Sequence, residues 1–216
     1  ENDVVDLALV EDTHHPFVVG GAGAGAAAVP FDAELLRPSA ALRPLAPPPR
    51  GLGLDPLFPA AKLGWLLDAY PEGRTLAAQG ELCAGTVDSW LVYRLTGGKV
   101  HTTDLGNASR TQLLDLRARD WSPSLTAAFG VPRTILPELR PSDARFGETV
   151  AVGGLPAGLP IHAGRGDAHA ALFGNGIRSP GASKATYCTG SSLMALTDAV
   201  GKTVNLVGDD LFVTNV

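Results

Sequence analysis

An apolar run from Leu159 to Ala163 feeds the turn Gly164-Arg165-Gly166-Asp167, which opens at once into the small-residue helical pattern Ala168 to Phe173. No other feature narrows the fold as much. A strand that enters a helix through so short a turn is a building unit of α/β or α+β order. The flanking glycines let the backbone turn sharply and let another molecule approach it closely. A carboxylate here projects from a strand end, where open α/β sheets hold their sites. Asp167 is therefore a candidate functional residue. Asp is also among the best helix N-caps, and local pattern alone favours that plainer role, serving only the amides of the following turn.

The same alternation runs through residues 51–198. Lys62 to Ala69 reads as a short helix, with Leu63, Trp65, Leu66 and Leu67 among small and polar residues. Thr86 to Leu95 reads as a second helix, capped by Thr86, with Val87, Trp90, Leu91 and Leu95 on one face and Gly97-Gly98 at its end. A third opens at Ser122-Pro123, because Ser is a good cap and Pro suits the first helical position; Gly130 closes it. Besides Leu159–Ala163, the segment Lys184–Cys188 reads as a strand. The fold class expected is mixed α/β.

Residues 1–50 differ. An Ala/Gly tract, Gly20 to Ala28, precedes a Pro-rich stretch that ends at Pro47-Pro48-Pro49, a composition that reads as linker or loop. Phe17 to Ala26 also resembles a dinucleotide-binding turn, with Gly21, Gly23 and Ala26 after a short apolar run. Its sequel fails: Pro-rich sequence stands where a second strand should, and no strand-end acid follows.

Composition removes several function classes. With 45% hydrophobic residues among 216, a sizeable core can be buried. The formal net charge is −5 with no basic run, which argues against a nucleic-acid partner. No apolar run reaches the roughly 18 residues of a membrane span. The first residues, Glu-Asn-Asp-Val-Val-Asp, lack the basic start of a signal peptide. Cys83 and Cys188 stand far apart without a CxxC, which fits a reduced, cytoplasmic protein. His14 and His15, with His162 or His169, lack metal-site spacing, so no metal ligand is expected.

A second turn lies about twenty residues after the first. The strand Lys184 to Cys188 leads into Thr189-Gly190-Ser191-Ser192. Backbone N–H groups and small hydroxyls around a Gly can surround a phosphate, although an ordinary hairpin turn would read the same.

The order of these segments resembles a known family. Leu57-Phe58-Pro59-Ala60-Ala61-Lys62-Leu63-Gly64-Trp65 is followed by Gly80-Glu81-Leu82 and Gly85-Thr86-Val87-Asp88-Ser89-Trp90. Then come Thr103-Asp104, Asn107-Ala108-Ser109-Arg110-Thr111, Leu136-Pro137-Glu138, Gly147-Glu148-Thr149, the Gly-Asp turn and the Thr-Gly turn. From about Gly51 to Leu196 this is similar to the FGGY carbohydrate kinases, the group that includes glycerol kinase and xylulokinase.

The resemblance implies part of a ribonuclease-H-like fold of the actin and hexokinase type. It also implies transfer of the γ-phosphoryl of ATP, with Mg2+, to a hydroxyl of a small sugar or polyol. By that resemblance Asp167 is the general base that accepts the hydroxyl proton, Thr189 and Gly190 contact the ATP phosphates, and Leu57 and Ala168 line the acceptor site. His169 is a further substrate contact to consider beside a packing role. Trp65 is expected in the core and Lys62 in a structural role. A homo-oligomer is compatible with the family.

The implied layout assigns residues 51–165 to the second half of the substrate domain and residues 166–198 to the start of the ATP domain. Residues 1–50 and 199–216 stand apart from it.

Departures from the family matter. Glycerol kinases have Tyr at the place of Leu57 and Gln at that of Ala168, so glycerol hydroxyls would go unpaired here. Cys188 stands where the family has Gly. The family's N-terminal Asp-x-Gly-Thr-Thr segment and its adenosine-binding half are not in this sequence, so little or no turnover is expected of the chain alone. Residues Val204 to Asn215 are similar to an enolase segment, with Asp209 at its Mg-binding position, but one carboxylate does not make a Mg site.

Overall fold

The structure is a computed structural model, and it describes residues 5–10, 17–19, 58–69, 72–187 and 191–197. In chain order the elements are β1 (Val5–Val10), β2 (Phe17–Val19), α1 (Pro59–Ala69), α2 (Gly73–Gln79), β3 (Leu82–Gly85), α3 (Val87–Leu95), β4 (Thr102–Asp104) and α4 (Leu105–Ser109). There follow β5 (Leu114–Asp115), β6 (Asp120–Trp121), α5 (Pro123–Phe129), a 3-10 turn at Arg133–Ile135, and β7 (Glu138–Arg140). The last elements are β8 (Gly147–Glu148), β9 (Pro160–Ile161), α6 (Asp167–Gly174), β10 (Ser183–Tyr187) and β11 (Ser191–Ala195).

Strand β1 lies between β2, to which it is antiparallel, and β3, to which it is parallel. Val5–Val10 and Phe17–Val19 are thus sheet, while the Ala/Gly and Pro-rich stretch read as linker, residues 20–49, lies outside the described residues. The Val-Asp-Leu-Ala-Leu-Val run of β1 has strand-forming residues that the flanking Ala/Gly and Pro composition obscured. The antiparallel β1–β2 pairing also departs from the parallel strands of a dinucleotide fold. The Gly21–Ala26 turn itself lies outside the described residues.

Strands β4 and β7 form a parallel pair, Thr102 to Asp104 against Glu138 to Arg140. Their carboxyl ends carry the polar residues described below.

One apolar cluster holds these elements together. Leu63, Leu66 and Leu67 of α1 meet Leu82 and Ala84 of β3, with Leu113, Leu125 and Ile135 beneath. Each fully buried Leu or Ile contributes about 1.5–3 kcal/mol. Trp65 packs on the edge of this cluster, and Lys62 is buried, both in keeping with structural roles. A Cβ on Gly64 would collide with the carbonyl oxygen of Phe129, so Gly64 is what lets α1 and α5 approach.

The expected helices form, with small shifts. The first begins at Pro59. In the second, Thr86 is the N-cap, but its hydroxyl bonds Asp88 Oδ1 at 2.5 Å and caps no amide. In the third, the Ser122 hydroxyl accepts from the Leu125 amide, Pro123 opens the helix, and Gly130 closes it at φ 65°. The strand expected over Leu159–Ala163 shrinks to Pro160–Ile161. The Leu159 N–H leaves the ladder for the Thr149 hydroxyl at 3.1 Å, and the Gly164 N–H goes to Ser142 O at 3.1 Å. Strands β10 and β11 pair antiparallel, Tyr187 opposite Ser191. The turn between them, with Cys188, Thr189 and Gly190, lies outside the described residues, as do Leu57 and Asp209.

Candidate active site

The polar centre of the molecule is Asp104, at the end of β4. It is fully buried, and its carboxylate accepts four hydrogen bonds. Oδ2 takes the Gly106 amide at 3.0 Å and the Ser142 hydroxyl at 2.5 Å. Oδ1 takes the Asn107 amide at 2.9 Å and its side-chain Nδ2 at 2.7 Å. Asp104 is thus the N-cap of α4, and through Ser142 it also ties in the segment after β7. A buried carboxylate is tolerated when its oxygens are saturated in this way.

A second, half-buried carboxylate stands close by. Asp88, in the first turn of α3, accepts from the Thr103 hydroxyl at 2.6 Å and from the Thr86 hydroxyl. Burial pushes its carboxyl up from the usual range, the two hydroxyl bonds pull against that, and the Asp104 charge adds to the rise.

The Gly164–Asp167 turn runs across this centre. A Cβ on Gly164 would press on the Phe146 ring at 3.1 Å, and one on Gly166 would lie 3.2 Å from Asn107 Oδ1. The turn therefore passes close over the start of α4, and both glycines are there to permit it.

Asp167 is the first residue of α6 and is exposed. The N-cap is Gly166, not Asp167, which corrects the plainer role favoured by local pattern. Among the described residues the Asp167 carboxylate bonds only its neighbour, accepting from the Ala168 amide at 2.6 Å, so it does not reach the second or third amide that an N-cap serves. One position of register, set by the Gly166 backbone, makes the difference. Ala168 is half-buried beside it.

His169 is 6% exposed, and its Nδ1 lies against both glycines of the crossing: 3.4 Å from where a Gly106 Cβ would stand and 3.5 Å from that of Gly166. Burial holds its imidazole below the usual histidine range. The Asp104 and Asp167 charges oppose that shift and Arg110 and Arg165 reinforce it.

The structure thus brings Asp167, Ala168 and His169 to the carboxyl ends of β4 and β7. Leu57, Thr189 and Gly190 lie outside the described residues, although Phe58, next to Leu57, sits under the Arg110 guanidinium at 5.1 Å, at the end of α4. Sequence reasoning passed over Asp104, Asn107 and Ser142. The Thr103-Asp104 and Asn107-Ala108-Ser109 strings were visible, but nothing local says that Ser142 closes on them.

Residues 46–174 match the FGGY family of carbohydrate kinases, N-terminal domain. The chain belongs to the FGGY family of carbohydrate kinases. The match ends at the last residue of α6. An apulose kinase of Pectobacterium atrosepticum is 52% identical over 146 residues, which are 67% of this chain and 29% of that protein. A glycerol kinase of Bordetella parapertussis is 51% identical over 144 residues, 67% of this chain and 28% of that protein. The FGGY chain therefore spans under a third of the length of these curated relatives. Among solved structures, the glycerol kinase of Plasmodium falciparum with ADP superimposes with a TM-score of 0.63 at 31% identity, over 67% of this chain and 29% of that one. The fold is accordingly part of the actin and hexokinase-like ATPase fold of these kinases. No helix among the described residues is long and apolar enough to cross a membrane.

Proposed function

We propose that this chain forms the acceptor-binding part of a cytoplasmic kinase that moves the γ-phosphoryl group of ATP to a hydroxyl of a sugar or polyol, with Asp167 as general base. The observation that carries the reading is the Asp167 carboxylate itself. It is exposed at a strand–helix crossing beside the ends of two parallel strands, and among the described residues it is bonded only by the adjacent Ala168 amide. One oxygen is left to take a proton.

In the transfer, the acceptor oxygen bonds the γ-phosphorus while the bond to the β,γ-bridging oxygen breaks. ADP leaves with that electron pair, and the hydroxyl proton passes to Asp167. Such a reaction asks mainly for positioning and charge stabilisation. Thr189 and Gly190 are the proposed phosphate contacts. Among the described residues no group of three His, Cys, Asp or Glu is placed to hold a metal ion. The proposed division puts residues 51–165 in the acceptor domain and 166–198 in the ATP domain.

The acceptor is proposed to be a sugar or polyol other than glycerol. Leu57 and Ala168 carry no polar side-chain atom at the two positions where the family resemblance implies hydroxyl contacts, and an unpaired substrate hydroxyl is costly. The burial of His169 favours support over contact, which leaves Asp167 and Ala168 as the described residues facing the acceptor.

The test is a titration of the 15N-labelled chain with apulose, xylulose, pentitols and glycerol, with ADP release from MgATP measured in parallel. At least one acceptor other than glycerol should move the Gly166, Asp167 and Ala168 amide signals, and Asp167→Asn should weaken that binding at least tenfold. A folded chain whose signals no acceptor moves would overturn the reading and leave a non-catalytic kinase lobe.

A further inference from the structure

We infer that His169 is a positioning residue, a buried wedge that fixes the rotation of α6 and so aims the Asp167 carboxylate. The inference rests on the general-base reading of Asp167.

The argument begins with helix geometry. Successive residues turn by about 100°, so positions two apart point to nearly opposite sides, and positions three apart share a face. Asp167 and His169 are two apart; His169 and Leu172 are three apart. The buried residues of α6 are His169 and Leu172, while Asp167 is exposed. The inward face of this eight-residue helix is therefore narrow, and among the described residues His169 is the buried one in its first turn.

What the anchor bears on is specific. The imidazole Nδ1 sits between two glycines, Gly106 from the start of α4 and Gly166 from the turn before α6. Gly106 is held by the hydrogen bond that its backbone N–H donates to Asp104 Oδ2, and Asp104 is held in turn by Ser142 and Asn107. Gly166 carries the first helical bond of α6, since its carbonyl accepts the Ala170 amide at 2.9 Å. A ring lodged there transmits the rigidity of a saturated buried carboxylate to the turn that carries Asp167. With the wedge gone, Leu172 is the one buried side chain, among the described residues of α6, left to oppose a roll of the helix. Loss of aim by a fraction of an ångström at a proton acceptor is expensive in rate and binding.

The experiment compares the 1H–15N spectra and amide exchange of the whole chain with those of His169→Ala and His169→Gln, with no ligand present. His169→Ala should shift the Gly106, Asn107, Gly166 and Asp167 amides and speed exchange at Ala170 at least tenfold, while Leu113 and Ile135 keep their protection. His169→Gln, which keeps a flat polar group of similar reach, should restore most of the native pattern. A second arm titrates whichever acceptor binds the native chain; affinity should fall at least tenfold in His169→Ala and stay within threefold in His169→Gln.

Unchanged Gly106 and Asp167 signals in His169→Ala would overturn the inference. So would a His169→Gln chain that behaves like the Ala variant, and this second variant decides the matter should His169→Ala not fold. If no acceptor binds the native chain, the general-base reading fails, yet the spectral arm still decides whether His169 sets the turn. If Asp167→Asn binds acceptor normally, Asp167 is no binding contact for the acceptor, and the wedge stands.

Discussion

The Ser142 hydroxyl donates to Asp104 Oδ2 at 2.5 Å, joining the segment after β7 to the end of β4 across 38 positions of sequence. Both groups are buried, so the bond is made where water cannot replace it. Removing it leaves Oδ2 with the Gly106 amide alone. Ser142→Ala should therefore lower stability by about 1.5–3 kcal/mol, the range for a hydrogen bond to a charged group. Urea denaturation would register this as a lower midpoint at unchanged slope. A loss under about 0.5 kcal/mol, the scatter of neutral surface changes, would mean that the buried carboxylate does not depend on this donor.

Gly64 sets two effects against each other. In an isolated helix, Gly→Ala gains about 1 kcal/mol. Here the new methyl would strike the Phe129 carbonyl oxygen, which is backbone and cannot swing aside. Overpacking of this kind costs about 1–3 kcal/mol. Gly64→Ala should therefore be net destabilising, whereas Ala61→Gly on the same helix, at a half-buried position, should lose only the propensity difference. Thermal unfolding of both variants separates packing from propensity; a more stable Gly64→Ala would show that α1 and α5 do not need the contact.

His101 should make the fold acid-sensitive. Burial pushes its imidazole down to about 4, with a bond to the Ala84 backbone pulling weakly the other way. The ring is therefore neutral in the native state, while the unfolded chain takes up a proton near pH 6.5. Between those values the unfolded state binds more protons, so stability rises with pH there. The contribution is complete above pH 6.5 and fades as the pH falls toward 4, for a total of about 3 kcal/mol. His169 shifts in the same direction and adds to the slope. His101→Gln, which cannot titrate, should flatten the difference in stability between pH 7 and pH 4.5. An unchanged slope would place the acid sensitivity elsewhere.

Much of this was legible in the sequence because it was local. Ser122-Pro123 with Gly130, and the Gly-Asp turn before a small-residue helix, carry their own stop and start signals. The site residues that were missed are those whose partners lie far along the chain. Asp104 and Ser142 meet only because β4 and β7 pair in parallel. The same cause hid β1: its strand depends on β3, more than seventy residues later, while the neighbouring composition pointed to linker. Asp167 shows how fine the limit is. The residue type favours a cap, and only the backbone of Gly166 decides that the cap falls one position earlier.

That one-position shift makes Asp167 the sharpest test of function against structure. An Asp that caps a helix loses about 1 kcal/mol or more on replacement by Ala. An exposed Asp at the first helical position has only a weak interaction with the helix N-terminus to lose, worth about 0.3–1 kcal/mol. Asp167→Ala, the replacement that would expose a cap, should therefore unfold within about 1 kcal/mol of the native chain. The same variant should lose acceptor binding, because the oxygen that takes the hydroxyl proton is gone. Chemical denaturation and acceptor titration on one preparation give both numbers. Loss of stability and binding together would return Asp167 to a structural role; loss of binding with stability intact is the pattern expected of a residue kept exposed for chemistry.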